Sequence, residues 1–142
     1  MKFYIATSLK NVERQRALRD FLVASGHTIT YDWGVHGNVR SESAKRIANV
    51  AYDEAEGVHQ ADYVIVLLPG GRGTHTELGL AMAHYRPVLL HAEPDAGLFA
   101  HDDRTCAFYW HPRVQRLECP WGADFFGRVA AWVDSGRFSL PE

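Results

Sequence analysis

The sequence predicts a single α/β domain with a Rossmann-like or flavodoxin-like doubly wound sheet of about five parallel strands. Short apolar segments alternate with segments of helical periodicity, and the continuous apolar run 62–68 is typical of a strand buried on both faces of a parallel sheet. The 142 residues lie near the usual size of one domain, so we assign 1–142 to one unit. Hydrophobic residues make up 46% and charged residues 23%, which suits a packed core.

The first half of the chain predicts two strand–helix pairs. Helical spacing of Leu18, Phe21 and Leu22 marks the first helix, which Gly26 ends. In order, we expect a strand at 3–6, a helix at 12–25, a β-rich segment at 28–32, a turn at 34–38 and a helix at 41–58.

The second half begins with the buried strand and continues the alternation. A glycine-rich loop from Pro69 to Gly73 separates that strand from the next helix. In order, we expect a strand at 62–68, a helix at 74–85, a strand at 87–91, a fifth strand at 106–110 and a final helix at 123–134, closed by Gly136.

This alternation also predicts where a ligand would bind. Strands joined by helical crossovers run parallel, and such sheets bind ligands beyond the carboxyl ends of their strands, where the strand order reverses. Three segments are expected to meet there, namely 6–8, 32–34 and 70–77. The fold class therefore favours a small-molecule cleft.

Composition argues against several classes of partner. Lys and Arg number 15 against 17 Asp and Glu, so there is no basic excess for nucleic acid. The longest apolar run, 63–68, is far shorter than the ~20 residues that span a bilayer. Neither Cys106 and Cys119 nor the eight histidines form a metal-binding pattern. We expect a cytoplasmic protein without a metal, cofactor, nucleic acid or membrane partner.

The segment from Pro69 to Gly79 carries the strongest chemical signal. Its glycines permit a tight turn before a helix, and the free N–H groups at a helix start favour an anion. Glu77 is expected in the first helical turn, where a carboxylate in a partly dry cleft suits a nucleophile or oxocarbenium stabiliser. Thr74 and Glu77 also match a capping box, in which the glutamate only satisfies a backbone N–H. On spacing alone both interpretations stand.

Four segments together resemble one enzyme family. They are Tyr4-Ile5-Ala6, Tyr31-Asp32-Trp33, Gly57-Val58 with Ala61-Asp62, and Gly73-Thr74-His75-Thr76-Glu77-Leu78-Gly79. In this order they resemble the nucleoside 2-deoxyribosyltransferase family, including its members that hydrolyse deoxynucleoside 5'-monophosphates. The resemblance extends from Phe3 to about Val88. It implies a flavodoxin-like sheet, homo-oligomers and a nucleoside or nucleotide as the small-molecule ligand.

The resemblance also implies catalytic roles. Glu77 would attack the sugar C1', and a second base or water would then release the sugar. A second family acid, which assists the leaving base, would be Glu54 or Asp53, and Glu54 has the better spacing to Gly57. The Tyr4 hydroxyl would be directed at Glu77 or the sugar, although a tyrosine in an apolar strand also suits core packing. The family's acid six positions before the nucleophile is replaced here by Gly71.

The remaining substrate-binding candidates surround the same cleft. Trp33 could stack on a base or lie buried, and Ser8 could bind substrate oxygens or cap a helix. Arg72 could pair with a phosphate or remain an exposed loop residue. The full set is Ala6, Ser8, Asp32, Trp33, Gly71, Arg72, Gly73 and Thr74.

Two other functions compete with this interpretation. The stretch from Pro69 to Glu77 is also similar to the cytokinin-activating, lysine decarboxylase-like phosphoribohydrolases, although the earlier glycine-rich phosphate loop of those proteins is missing. A non-catalytic nucleotide-binding sensor would keep the cleft without the chemistry, and Gly71 is the feature that favours it. Dependence of base release on Glu77 separates the enzymes from the sensor, and the preferred sugar separates the two enzymes.

Overall fold

The computed structural model describes residues 1–136 and contains one parallel five-stranded sheet. Its strand order is β2-β1-β3-β4-β5, the flavodoxin-like order, which confirms the predicted doubly wound α/β fold. The strands are β1 Lys2–Thr7, β2 Thr28–Ile29, β3 Tyr63–Leu67, β4 Val88–Ala92 and β5 Val114–Glu118. The helices are α1 Val12–Ala24, α2 Ala44–Gln60, α3 Arg72–Ala83 and α4 Ala123–Ser135.

Helices cover both faces of the sheet. One core cluster joins Leu78 of α3 and Val58 of α2 to the sheet. The opposite cluster joins Leu18 of α1 and Phe125 of α4 to the sheet. Strands β3 and β4 are buried along their whole length because both of their faces are covered, which explains their continuous apolar sequences.

The fifth strand lies later in the chain than its prediction. Residues 106–110 do not pair with the sheet; Ala107–Trp110 forms a short 3-10 helix in which only Tyr109 is buried. The edge position belongs to β5, which pairs with β4 from Val114 to Glu118. Only Val114 and Leu117 of β5 are buried, and polar residues lie between and after them, so its sequence lacks the apolar run that marks β3 and β4.

Strand β1 is the point at which the strand order reverses. It pairs with β2 on one side and with β3 on the other, with Ile5 opposite Ile65 and Thr7 opposite Leu67. The carboxyl ends of β1 and β3 therefore lie side by side, at the place where such sheets bind ligands. Within residues 1–136, no helix has the length and apolar character needed to cross a membrane.

Candidate active site

A cleft of about 1100 Å³, counting its open mouth, lies beyond the carboxyl ends of β1 and β3. The loop after β1, the connection between β2 and α2, one side of α2 and the start of α3 form its walls. Eight of the candidate site residues named from the sequence line this cleft: Ser8, Trp33, Glu54, Gly71, Arg72, Gly73, Thr74 and Glu77. The predicted location of the ligand site therefore coincides with a real cavity.

Glu77 is a buried carboxyl group on the cleft wall. Glu77 is only 8% exposed. Its carboxyl oxygen Oε2 has no hydrogen-bond partner among residues 1–136. Desolvation raises the pKa of Glu77 from 4.5 to about 8, with Glu54 adding to the rise and the Tyr4 hydroxyl opposing it. The structure thus keeps a buried carboxyl group, with no hydrogen-bond partner for Oε2 among residues 1–136, next to an open cavity.

The capping-box interpretation of Glu77 is wrong. Helix α3 begins at Arg72, so Glu77 lies in its second turn rather than its first. Thr74 is the residue in the first turn that bonds back, because its hydroxyl oxygen accepts the Gly71 N–H at 3.2 Å. A glutamate in the second turn cannot reach the backbone N–H that a capping box requires.

The glycine loop brings the backbone close to Thr74. A Cβ atom built on Gly70 would collide with the Thr74 side chain, so a glycine is needed there for the turn. A Cβ atom on Gly71, by contrast, meets nothing within 4 Å. The loop therefore leaves free space on the cleft side of Gly71.

Tyr4 lies behind Glu77 rather than in the cleft lining. Its side chain is 0% exposed, and its hydroxyl has no hydrogen-bond partner of ordinary geometry within residues 1–136. Burial first, and then the adjacent Glu77 carboxyl, raise the pKa of Tyr4 well above its usual value. A Cβ atom on Gly57 would lie 3.1 Å from the Tyr4 ring, so this glycine lets α2 pack closely over the tyrosine.

The two candidate acids on α2 point in different directions. Glu54 lines the cleft and is half-buried, whereas Asp53 is exposed and lies outside the lining. Burial raises the pKa of Glu54, against the opposing effect of His36. The geometry therefore places Glu54, and not Asp53, beside the same cavity as Glu77.

Asp32 and Ala6 do not line the cleft. Asp32 Oδ1 accepts hydrogen bonds from Gln15 Nε2 at 3.0 Å and Gly34 N at 3.2 Å, and Oδ2 pairs with Arg19 at 2.9 Å. These bonds hold the turn after β2 against α1. Ala6 is wholly buried in the sheet, where it packs in the core. Neither residue presents its side chain to a ligand in this cavity.

Trp33 and Ser8 combine structural contacts with positions on the cleft wall. Trp33 is buried and its indole N–H donates to the Ile5 carbonyl at 2.8 Å, which fixes the ring. The Ser8 hydroxyl accepts the Lys10 N–H at 3.3 Å and so caps the short turn after β1. Both interpretations offered for each residue are therefore compatible with its position.

Sequence reasoning missed a large part of the cleft wall. Thr7, Lys10, Asn38 and Arg40 supply further polar groups. Leu9, Val39, Ile47, Val50 and Ala51 supply an apolar surface. The apolar positions on α2 recur at helical spacing, which by itself does not distinguish a core face from a cleft wall, and Ile47 is exposed at the cleft. Residues 38–40 follow no regular pattern that could have marked them.

His75 ties the glycine loop to the segment after β4. Its Nδ1–H donates to the Gly71 carbonyl at 2.8 Å, and its Nε2 accepts the Tyr109 hydroxyl at 2.7 Å. Because a carbonyl only accepts, the first bond places the ring proton on Nδ1. His75 is thus a bridge between two loops. Across residues 1–136, no cluster of three or more His, Cys, Asp or Glu side chains could hold a metal ion.

Two solved structures of nucleoside-processing enzymes share the fold of this chain. The CMP N-glycosidase BcmB of Clostridium botulinum superposes with a TM-score of 0.66 at 15% identity, over 92% of this chain and 99% of that one. A 2-deoxyribosyltransferase of Bacillus psychrosaccharolyticus superposes with a TM-score of 0.52 at 24% identity, over 64% of this chain and 72% of that one. The chain has the fold of these two enzymes.

The structural likeness confirms the resemblance drawn from the sequence motifs at the level of the fold. No protein-family model matches the sequence, and neither does any curated protein. Identities of 15% and 24% leave the reaction to be argued from the residues of this cleft.

Proposed function

We propose that this protein breaks the N-glycosidic bond of a nucleoside or nucleoside 5'-monophosphate, with Glu77 as the nucleophile. The observation that carries the proposal is the Glu77 carboxyl group, which is buried, unpaired at Oε2 and adjacent to an open cleft. Leaving a carboxyl group in this state costs stability, and such groups concentrate where chemistry is done. The shared fold of an N-glycosidase and a deoxyribosyltransferase supports the same reaction class.

The first step uses both cleft carboxyl groups. The ionised Glu77 attacks C1' of the sugar, so an O–C1' bond forms while the bond from C1' to the base nitrogen breaks. The electron pair of that bond leaves with the base, and Glu54 donates a proton to the departing base. Burial raises the pKa of Glu54, which is the direction that a proton donor requires.

The second step releases the sugar. Water attacks C1', the bond to Glu77 breaks, and the electron pair returns to the Glu77 carboxylate. The proton lost by water returns to Glu54, which restores the starting state. A second base attacking in place of water would give transfer rather than hydrolysis. The Tyr4 hydroxyl lies beside Glu77 and orients the carboxylate when it is ionised.

Base release measured by chromatography tests the proposal. Wild type and Glu77→Gln are incubated with ribo- and deoxyribonucleosides and their 5'-monophosphates, with and without an acceptor base. Glu54→Gln and Asp53→Asn form a matched pair on α2, one acid in the cleft and its neighbour outside it. We expect release that requires Glu77, falls about 100-fold in Glu54→Gln and is unchanged in Asp53→Asn.

The other outcomes separate the competing functions. Release that persists in Glu77→Gln would contradict the assigned nucleophile. Cleavage confined to ribonucleoside monophosphates would favour a phosphoribohydrolase. If no substrate is cleaved while nucleotides still raise the melting temperature, the protein is a binding module and the enzymatic proposal fails.

A further inference from the structure

A histidine outside the cleft lining holds the glycine loop. His75 is the fourth residue of α3, and its side chain does not line the cavity. Its ring bonds at both nitrogens: Nδ1–H donates to the Gly71 carbonyl at 2.8 Å, and Nε2 accepts the Tyr109 hydroxyl at 2.7 Å. We call this pair of hydrogen bonds the His75 bridge. It ties the loop on the cleft wall to a residue that lies 34 positions after the histidine.

Gly71 is held by hydrogen bonds at both its N–H and its carbonyl. The N–H donates to the Thr74 hydroxyl at 3.2 Å. The carbonyl accepts the His75 backbone N–H at 3.2 Å and the His75 ring N–H at 2.8 Å. The backbone bond is the ordinary opening bond of a helix, so the ring supplies an additional one. Gly70, Gly71 and Gly73 give this segment more backbone freedom than other residues would, so side-chain bonds do more to fix its path.

The far end of the His75 bridge is a buried anchor. Tyr109 is buried, and its ring makes an edge contact with the Phe99 ring at a centroid distance of 6.1 Å. Its backbone carbonyl accepts Arg116 Nη1 at 3.0 Å, which ties it to β5. The Tyr109 hydroxyl is therefore fixed by packing that does not involve α3. A fixed partner of this kind restricts the imidazole ring of His75 to one rotamer.

The first turn of α3 covers the Glu77 carboxyl group. A Cβ atom built on Gly73 would lie 3.8 Å from Glu77 Oε1, so the backbone of this turn lies close to that oxygen. Gly71, Arg72 and Thr74 line the cleft together with Glu77. A shift of the helix start would therefore change both the wall against which a substrate lies and the cover of the carboxyl group. A misplacement of about 1 Å in such an arrangement can cost about 100-fold in rate.

We propose that His75 and Tyr109 are positioning residues, whose bridge holds the glycine loop and the first turn of α3 in the arrangement in which the cleft wall and Glu77 face one substrate together. Neither side chain lines the cleft, so both act through Gly71 and the helix start. This inference rests on the proposed function for the identity of Glu77 as the reacting group. The hold on the loop can be measured without any turnover.

The kinetics of base release in three single variants provide the first test. Tyr109→Phe removes the hydroxyl alone, and His75→Asn keeps an amide N–H near the position of Nδ1 but does not reach Tyr109. Each keeps a donor for the Gly71 carbonyl and loses the anchor, so we expect kcat to fall about tenfold in both, with KM changed less than about threefold. His75→Ala loses both bonds and should lower kcat about 100-fold.

A double variant tests whether the two residues act as one unit. His75→Ala already removes the partner of the Tyr109 hydroxyl, so adding Tyr109→Phe should slow base release no further. Losses that multiply would show that Tyr109 acts independently of His75, and would overturn the bridge. An unchanged kcat in both Tyr109→Phe and His75→Asn would overturn it as well.

Thr76→Val is the matched control. Thr76 is the next residue of α3, lies outside the cleft lining, and donates its hydroxyl to the Arg72 carbonyl at 2.8 Å. The variant preserves size and removes a side-chain bond to the same turn, but this bond stays within α3. We expect kcat to change less than about twofold. A loss as large as that of Tyr109→Phe would mean that any weakening of the turn slows the reaction, and would overturn the specific role of the bridge.

Hydrogen exchange of the Gly71 amide provides the second test, because this N–H bonds within the loop that the bridge is proposed to hold. NMR of the free protein follows it without substrate. We expect exchange at least about tenfold faster than in wild type in Tyr109→Phe and His75→Asn, and unchanged exchange in Thr76→Val. Exchange as slow as in wild type in all three variants would overturn the inference.

The two tests separate the failure of the bridge from the failure of the proposed function. Base release that requires Glu77 but is equally fast in wild type and Tyr109→Phe rejects the positioning role and keeps the glycosidic chemistry. Faster exchange of the Gly71 amide in Tyr109→Phe, in a protein that releases no base, keeps the hold on the loop and rejects the chemistry.

Discussion

Two acidic side chains near the carboxyl edge of the sheet differ in their hydrogen bonding. Asp32, after β2, receives three hydrogen bonds, from Gln15, Gly34 and Arg19. Glu77, in α3 after β3, is buried and lacks a partner at Oε2 within the described chain. One carboxylate holds two elements together, and the other is left available to a ligand.

The difference separates a structural acid, Asp32, from Glu77, the acid that we propose to react. Both belong to motifs that resemble the same enzyme family, and both were candidate site residues in the sequence. Satisfied hydrogen bonds lower the energy of Asp32 in the folded state, whereas burial without a partner raises that of Glu77. We therefore expect the two acids to respond differently to substitution and to pH.

The largest expected difference is in turnover. Glu77→Gln removes the proposed nucleophile while preserving size, and we expect base release to fall by about 1000-fold or more. Asp32→Asn should change base release less than about threefold, because its side chain does not line the cleft. Chromatography of both variants beside wild type, with circular dichroism to verify folding, checks this. A comparable loss in the two variants would remove the distinction between them.

The next difference is in stability as a function of pH. The pKa of Glu77 is raised from 4.5 to about 8 on folding, so the folded state holds the proton more tightly and loses stability as pH rises between these values. Glu77→Gln removes this penalty and should gain on the order of 4 kcal/mol relative to wild type between pH 5 and pH 9. Urea unfolding at several pH values measures it. A gain in the free energy of unfolding of Glu77→Gln that does not vary with pH would show that the ionisation of Glu77 is not its cause.

The rate of base release should follow the same ionisation. In the proposed mechanism the carboxylate form of Glu77 attacks, and burial raises the pKa of Glu77 to about 8. In Glu54→Gln, where the second acid no longer titrates, kcat/KM should fall about tenfold per pH unit below that pH, because the protonated form of Glu77 dominates. A pH–rate profile from pH 5.5 to 9 checks this slope. A flat profile of Glu54→Gln from pH 6 to 8 would show that the ionised form of Glu77 is already dominant in the free protein.

The smallest effect belongs to Asp32. Asp32→Asn keeps an oxygen that can accept hydrogen bonds from Gln15 and Gly34. It loses the partly exposed ion pair with Arg19, in which Asp32 Oδ2 lies 2.9 Å from the guanidinium. We expect a loss of about 1 to 2 kcal/mol in the free energy of unfolding. Urea denaturation at pH 7 measures it, with Arg19→Gln as the partner variant. No loss in either variant would show that the turn after β2 does not depend on this pair.

The sequence carried more information about the central strands than about the edges and walls. Strands β3 and β4 are apolar throughout, and the glycine loop before α3 marks the cleft directly. The strand at 106–110 was mistaken because aromatic residues suit both a strand and a packed 3-10 turn. Arg40 and Val39 reach the cleft through an irregular connection, whose path depends on tertiary packing rather than on local periodicity.

The role of Glu77 also needed the structure. Spacing alone could not tell a first-turn cap from a buried carboxyl group, because a shift of three residues in the helix start decides between them. Only the coordinates show that α3 starts at Arg72, and that Thr74 makes the bond to the loop. The distinction between Asp53 and Glu54 likewise follows from which side of α2 faces the cavity.

The most direct test of this account is the titration of the Glu77 carboxyl group itself. Carbon-13 NMR of protein labelled at the glutamate side-chain carboxyl follows each glutamate with pH, and the signal missing from Glu77→Gln identifies Glu77. The account predicts a midpoint near pH 8, as burial without a partner requires. A midpoint near the ordinary value of 4.5 would show that Glu77 is solvated or paired, and would contradict its assignment as the poised reactive group.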